Sequence, residues 1–391
     1  MSIEVNLKNN KFILVFGAED QYSGVATYRH ALIQVLKERQ AEAIYIIEVN
    51  SPVETAAVSN VDGITIIKLP PVLHNVSDAY AEMLGKYIHK DFDYVCITNF
   101  FPASFIVEGL RKTYRSIQIL HVVHDMIWMA LCSGDVSRLD NILVDTADDS
   151  RHSRLVKASY IDMARTFSSA DSIICLCKAT ATFVKSRFAS SNVVVISNGL
   201  PDEEKLHEVD DRRYLYQKFG LRPNSRIYLS VGRMSYAKGI DRLPDIFSKI
   251  KAKDPDAVLV VTGNADEFAS KILGSIEPSL RSHIIVTGAL PRKLLFRLYS
   301  ISDAAIIVSR HEQCSMTGIE LMMHGIPVIY MPAHGVTEMF KDGAGVSVEE
   351  ALGSSDIIAT LSSLSPRHIY ESKYSFDIFC QNYTHLLRKG K

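Results

Sequence analysis

Two glutamates eight positions apart, Glu312 and Glu320, and two cations five apart, Arg233 and Lys238, are the side chains whose spacing first suggests chemistry. Glu312 lies in a polar turn, residues 309–315, after a short apolar run. Met316, Ile319, Met322 and Met323 then recur at helical spacing until Gly325 and Pro327 stop the helix, which puts Glu320 one turn inside it. Backbone N–H groups of Gln313, Cys314, Ser315, Met316 and Thr317 fall at the positive end of that helix, which suits a phosphate. Carboxylates repel phosphate but accept well from hydroxyls. Two of them flanking a helix-bound anion therefore ask for a ligand with hydroxyls at both ends and a diphosphate between, the shape of a nucleotide sugar. Arg233 and Lys238 lie on a loop bounded by Gly232 and Gly239. There a planar guanidinium and a compact ammonium can converge on one diphosphate. The plain alternative is a solvated basic loop and an ordinary strand, turn and helix with Glu320 facing water.

The run Glu312, seven residues, Glu320, then Gly325-x-Pro327-Val328-Ile329 resembles the paired-glutamate motif of retaining glycosyltransferases of family 4 (glycosyl transferases group 1), which have the GT-B fold. Gly232-Arg233 and Lys238-Gly239 match the basic signature of that family at full spacing. The resemblance runs from about residue 12 to 340 and implies an α/β chain of two Rossmann-like, doubly wound parallel-sheet domains facing each other across a cleft. It implies transfer of a sugar from a nucleoside diphosphate sugar, a UDP-sugar ahead of a GDP-sugar, to an acceptor hydroxyl with retention at the anomeric carbon. On this reading Glu312 holds the transferred sugar, Glu320 the ribose, and Arg233 and Lys238 the leaving diphosphate. With two cations there, no metal or other cofactor is expected, and no Asp-x-Asp triplet argues for one. His124 in His-Val-Val-His-Asp corresponds to a strand-end histidine that reaches the donor sugar, with Asp125 fixing its orientation or capping the next helix. Gly24 keeps one position of a family Gly-Gly turn whose other position is Ser23, and Gly288-Ala289-Leu290 lies along the nucleobase. Arg292 and Lys293 read as solvent charges opening a helix. The chain departs from the family at Cys314 and Ser315, where Phe and Gly are common, at Leu321, where alanine is common, and at His334 before Gly335. A serine in place of glycine is expected to leave its N–H free for the diphosphate.

Parallel strands must present these loops. Continuous apolar runs at 12–16, 44–48, 64–67, 94–98, 117–123, 172–177, 193–197, 226–231, 257–262, 304–308 and 328–330, separated by helix-length stretches, are the α/β signature. In such sheets ligands sit beyond the carboxyl ends of strands. Gly17 and Gly24 do not make a dinucleotide fingerprint, which removes a dehydrogenase. Residues 130–156, rich in Asp, Ser and Arg with little apolar periodicity, read as a solvated loop.

A chain of 391 residues is too long for one comfortable core. The expected division is an acceptor-side domain over 1–200, a charged linker over 201–213 and a donor-side domain over 214–369, with a helix from about 370 to 391 crossing back onto the first. With 43 basic and 44 acidic side chains, nothing calls for nucleic acid. The polar start lacks a signal-peptide core, and the six scattered cysteines fit a reducing cytoplasm. Peripheral association with the inner face of a membrane goes with a lipid-linked acceptor. Arg111, Lys112 and Arg115 are the cations considered for it, against ordinary solvation. A glycan or a protein acceptor fits equally, within glycan, glycolipid or glycoprotein assembly, polysaccharide biosynthesis included. Two rivals of another kind stay open: a non-catalytic subunit supporting a partner transferase, and a nucleotide-sugar epimerase.

Overall fold

The computed structural model describes residues 7–18, 24–71, 82–99, 102–188, 192–202 and 211–389. The chain divides into two compact units, Met1–Asn198 with Phe379–Lys391, and Gly199–Ile378. Most of the linker stretch, 203–210, and Ser23 of the first glycine-type turn lie outside the described residues.

The first unit is built on an eight-stranded sheet. Its strands are β1 (Lys11–Gly17), β2 (Ala43–Val49), β3 (Ala57–Val61), β4 (Ile64–Lys68), β5 (Tyr94–Thr98), β6 (Ile117–Val123), β7 (Ser172–Cys175) and β8 (Val193–Val195). The order is β3-β4-β2-β1-β5-β6-β7-β8, parallel except for β3, which returns antiparallel on β4 as an exposed edge. Phe12 to Phe16 are all buried, as a strand covered by helices on both faces requires. The second unit carries β9 (Arg226–Val231), β10 (Ala257–Thr262), β11 (Ile284–Gly288), β12 (Ala304–Ile307), β13 (Val328–Tyr330) and β14 (Gly345–Ser347). Its order, β11-β10-β9-β12-β13-β14, is parallel throughout. Successive strands run outward from β9 to one side and from β12 to the other. The direction of winding therefore switches between β9 and β12, and the crevice beyond their carboxyl ends is where such a sheet takes a ligand.

The solvated loop expected over 130–156 is instead mostly helical, with helices at Ile127–Cys132, Val136–Val144 and Arg151–Ser169. Its polar residues are caps. Asp135 accepts from the amides of Ser137 and Arg138, and Ser150 accepts from the Ser153 amide. Few apolar residues are needed because Leu139, Val156, Met163 and Phe167 pack into one cluster with Trp128 and Met129. The final helical stretch is broken: a π turn at Tyr370–Tyr374 precedes the Phe376–Lys389 helix, and residues from Phe379 onward belong to the first unit. Arg111 is a structural cation, donating to the carbonyls of Ser169 and Ile117 and pairing with Asp171 at 2.7 Å. No described helix is long and apolar enough to cross a membrane.

At the switch point the loop after β9 lies against the end of β12. Gly239 has φ +74°, and a Cβ there would sit 2.0 Å from the Val308 carbonyl oxygen. Gly220 has a similar φ, +65°, but open space around it. We expect Gly220→Ala to cost only the left-handed backbone term of ~1–2 kcal/mol. Gly239→Ala must also push two backbones apart and should cost more, about 3–4 kcal/mol. Equal losses in urea unfolding of the two variants would show that the close approach is not a constraint.

Candidate active site

Five of the residues singled out by sequence, Arg233, Lys238, Glu312, Ser315 and Thr317, line one cavity, open to solvent, at the carboxyl ends of β9 and β12. Two loops and one helix start place them. The loop after β9 is pinned on one flank by the amide of Met234 donating to Asn264 (2.8 Å). Gly263 lies so close that a Cβ there would meet the Gly232 oxygen at 1.9 Å. On the other flank stands Arg310, a residue the sequence reading passed over. Its guanidinium donates to both oxygens of Asp241 (2.8 and 2.7 Å), lies 3.5 Å over the Tyr236 ring, and leaves only 8% of its side chain exposed. Asp241 was likewise missed. The two stand 69 positions apart, so no local spacing pairs them.

Lys238 Nζ meets Glu312 Oε1 at 2.5 Å, and the Ser309 hydroxyl donates to the same oxygen at 2.8 Å. Glu312 Oε2 makes no hydrogen bond among the described residues. An ammonium has three donors and a carboxylate about four acceptor sites, so both partners keep capacity for a ligand. The backbone of Glu312 is fixed by donation to the His334 carbonyl (2.9 Å) and by Gly335, φ +76°, where a Cβ would meet the Glu312 oxygen at 1.9 Å. Position 335 of the His-Gly pair is therefore the essential glycine. Arg233 is exposed and makes no hydrogen bond or ion pair among the described residues, which leaves its charge at the cavity.

Ser315 is the N-cap of the Met316–Met323 helix, its hydroxyl accepting from the Gly318 amide at 3.2 Å. Its own N–H, expected to be free, donates to Met339 Sδ at 3.1 Å. That corrects the sequence reading: substituting serine for glycine allows a cap, and the amide has turned to a neighbouring thioether, a weak acceptor. Of the four amides that a helix start leaves without intrahelical partners, those of Met316 and Thr317 remain for an anion. Gln313 and Cys314 are buried in the turn.

Glu320 is not in the lining of this cavity. It is buried, with Oε1 accepting from Arg292 at 2.9 Å and Oε2 from the Tyr299 hydroxyl at 3.0 Å. The expectation that Arg292 is a solvent charge is thus overturned: the Arg292–Ser300 helix starts beside the glutamate and finds a buried carboxylate to neutralise. Burial raises the Tyr299 hydroxyl well above its usual range, so it stays protonated and donates. Gly288 (φ +70°) ends β11, with Ala289 exposed and Leu290 half-buried in the turn before Arg292.

Gly24 and His124 belong to the first unit. Gly24 opens the Gly24–Glu38 helix and is exposed. His124 follows β6, its ring 4.2 Å edge-on from that of Tyr28, and Tyr28 shares a 2.6 Å hydroxyl hydrogen bond with Tyr383 of the last helix. Burial pushes the imidazole pKa down to about 3, so it is neutral near pH 7, and Nε2 has no hydrogen-bond partner among the described residues. Asp125 accepts from the Met126 amide ahead of the Ile127–Cys132 helix. Among the described residues no cluster of three or more His, Cys, Asp or Glu is arranged to hold a metal ion.

Comparison with known proteins gives two adjoining family matches. Residues 22–204 match Glycosyltransferase Family 4, and residues 211–365 match Glycosyl transferases group 1. The mannosylfructose-phosphate synthase of Agrobacterium fabrum is 31% identical over 144 residues, which is 34% of this chain and 31% of that protein's length. Among solved structures, the sucrose-phosphate synthase of Thermosynechococcus elongatus superposes with a TM-score of 0.74 at 17% identity, covering 97% of this chain and 98% of its own. Alr3699/HepE of Anabaena, solved in complex with UDP and glucose, gives 0.69 at 14% identity, with 97% and 100% covered.

The Arg310–Asp241 clamp should be measurable. Its guanidinium holds the Asp241 carboxyl below the ordinary range. Arg310→Ala should cost roughly 2–3 kcal/mol, somewhat less than a fully buried pair because Asp241 keeps some exposure. Because that carboxyl is depressed in the folded state, its contribution is complete above the unfolded value of about 4 and is lost as pH falls through the folded one. The stability gap between wild type and Arg310→Ala should hold from pH 8 to 5 and narrow below about 4. A gap that is flat down to pH 2 would remove the carboxylate from the account.

Proposed function

From a chain that belongs to the glycosyl transferases group 1, with a family 4-type first half and the GT-B fold, we propose a retaining transferase that moves a sugar from a nucleoside diphosphate sugar to an acceptor hydroxyl. The observation that carries this reading is the Lys238–Glu312 pair at the mouth of a helix start, with Arg233 exposed beside it. Cation and carboxylate side by side suit a ligand that is anionic at one point and hydroxylated at the next. Arg233, Lys238 and the Met316 and Thr317 amides would take the diphosphate, and Glu312 Oε2 a hydroxyl of the sugar. Glu320 would accept from the ribose, and the neutral His124 Nε2 is the first unit's candidate hydrogen-bonding group.

The bond from the anomeric carbon to the diphosphate oxygen breaks as the bond to the acceptor oxygen forms on the same face. Charge building on the leaving diphosphate meets donors already in place, which is the form of stabilisation that costs no reorganisation. The incoming hydroxyl's proton passes to that diphosphate, so no side-chain base is needed. A UDP-sugar is the favoured donor, supported by the UDP and glucose bound to the HepE neighbour. The acceptor belongs to glycan, glycolipid or glycoprotein assembly on the cytoplasmic side.

A thermal-shift screen with UDP, GDP, ADP and their sugars tests the donor. A nucleotide at about 100 times its dissociation constant should stabilise the protein by roughly 2.7 kcal/mol. No stabilisation by any nucleoside diphosphate at millimolar concentration would sink the proposal. Charge supply is tested separately: turnover should persist in excess EDTA, and loss restored by magnesium would move the diphosphate charge from Arg233 and Lys238 to a metal.

A further inference from the structure

The ring of His124 is held by a part of the chain remote from it in sequence. Its centroid lies 4.2 Å from that of Tyr28, with the two planes at 65°, so turning the imidazole would drive it into the tyrosine ring. Tyr28 stands on the Gly24–Glu38 helix, and its hydroxyl meets that of Tyr383 on the Phe376–Lys389 helix at 2.6 Å, across 355 positions. Both tyrosines are buried, and Phe379 packs edge-on to Tyr28 and 4.7 Å from the Tyr383 ring. All four residues belong to the first unit. Two phenylalanines at positions 28 and 383 would fill the same space and bury no polar atom. Each hydroxyl has instead been taken out of water, which is costly unless it is paired, and the partner of each is the other. What a hydroxyl pair adds to apolar packing is direction. It fixes the distance and tilt of two rings, and one of those rings is the wall beside the imidazole. The titratable groups around His124 carry no charge toward it: burial keeps both tyrosine hydroxyls protonated, and it pushes His121 of β6 down to about 3. Asp125, the next residue, is exposed and accepts from the Met126 amide.

We propose that Tyr28 and Tyr383 are positioning residues for His124: their hydroxyl pair fixes the Tyr28 ring, that ring fixes the imidazole, and the last helix is thereby part of the first unit's functional apparatus. The inference rests on the reading of His124 as the first unit's hydrogen-bonding group. Removing one hydroxyl leaves the other buried without its partner, and the ring that carries it must shift to find another. Removing both leaves nothing to satisfy. Each single phenylalanine variant should therefore disturb the imidazole more than the double variant does. Ordinary core packing predicts the opposite order, with the double variant at least as disturbed as either single one.

Histidine ring signals of the 13C-labelled protein, followed by NMR, read the imidazole directly. The His124 signal is the one lost in His124→Phe, which keeps a ring and removes both nitrogens. In wild type it should hold its shift from pH 8 to 5. Tyr28→Ala admits water beside the ring and should give the signal a midpoint above about 5, nearer the ordinary histidine value. Tyr28→Phe and Tyr383→Phe should each move the signal, and the double variant Tyr28→Phe/Tyr383→Phe should return it most of the way. Turnover of UDP-glucose and affinity for UDP are measured on the same proteins. Turnover should fall about tenfold or more in His124→Phe and Tyr28→Ala, less in the single phenylalanine variants and least in the double one, with UDP affinity within about twofold of wild type throughout. A His124 signal indifferent to both Tyr28→Ala and Tyr383→Phe, or a double variant no closer to wild type than the singles, would overturn the positioning role. The signals need no substrate, so they decide that role whether or not UDP-glucose is turned over. If they respond as expected while His124→Phe turns over UDP-glucose like wild type, the positioning stands and the reading of His124 fails. Should Tyr28→Ala not fold, Tyr28→Leu carries that comparison.

Discussion

The second unit depends on how closely two backbones meet at the switch between β9 and β12. Gly239 lies against the Val308 carbonyl, Gly263 against that of Gly232, and Gly335 against that of Glu312. At each point a single Cβ would occupy space already held by a carbonyl oxygen. Four loops, those after β9, β10, β12 and β13, are thereby brought together at one sheet edge, and the Arg310–Asp241 pair closes the contact with charge. Side chains on loops are placed well only when the loops themselves have nowhere to go. Here the constraint is steric first and electrostatic second.

Within that frame the Lys238–Glu312 pair is half-satisfied. One carboxylate oxygen receives both the ammonium and the Ser309 hydroxyl, and the other receives nothing among the described residues. Such an arrangement is poor as a stability device, since a partly exposed ion pair contributes little. For the proposed donor it is economical: the charges are already oriented, and a ligand carrying phosphate and hydroxyl groups would add bonds without reorganising them. The Ser315 amide fits the same pattern, because a thioether is a weak partner for an N–H at a helix start.

The first unit places its histidine by a different device. His124 stands at the end of β6, and its ring orientation is set by Tyr28, itself tied to Tyr383 of the last helix. A terminal segment far away in sequence thus packs on the side of the sheet where the histidine emerges. Tyr383 is fully buried, and the aromatic cluster it forms with Phe379 and Tyr28 excludes water behind the imidazole, which is why that imidazole stays neutral.

Sequence alone determined the alternation of buried strands and helices, because strands covered on both faces need unbroken apolar runs. It also picked out the candidate pairs Arg233 with Lys238 and Glu312 with Glu320, since each pair lies on one loop or one turn-and-helix and its spacing is local, although only Arg233, Lys238 and Glu312 line the cavity. Sequence did not reveal the helices over 130–156, whose few apolar residues become a core face only when Trp128, Met129 and Phe167 pack with them. The uses of Arg292 and Arg310 were equally hidden. A long cation on a surface pattern looks solvated until folding brings a carboxylate beside it, 28 positions away in one case and 69 in the other. The Ser315 amide was misread for the same reason, because Met339 reaches it across 24 residues. Local spacing reports which groups share an element. Which buried charge or amide finds which partner is decided by the close approach of elements, and that exists only in the folded chain.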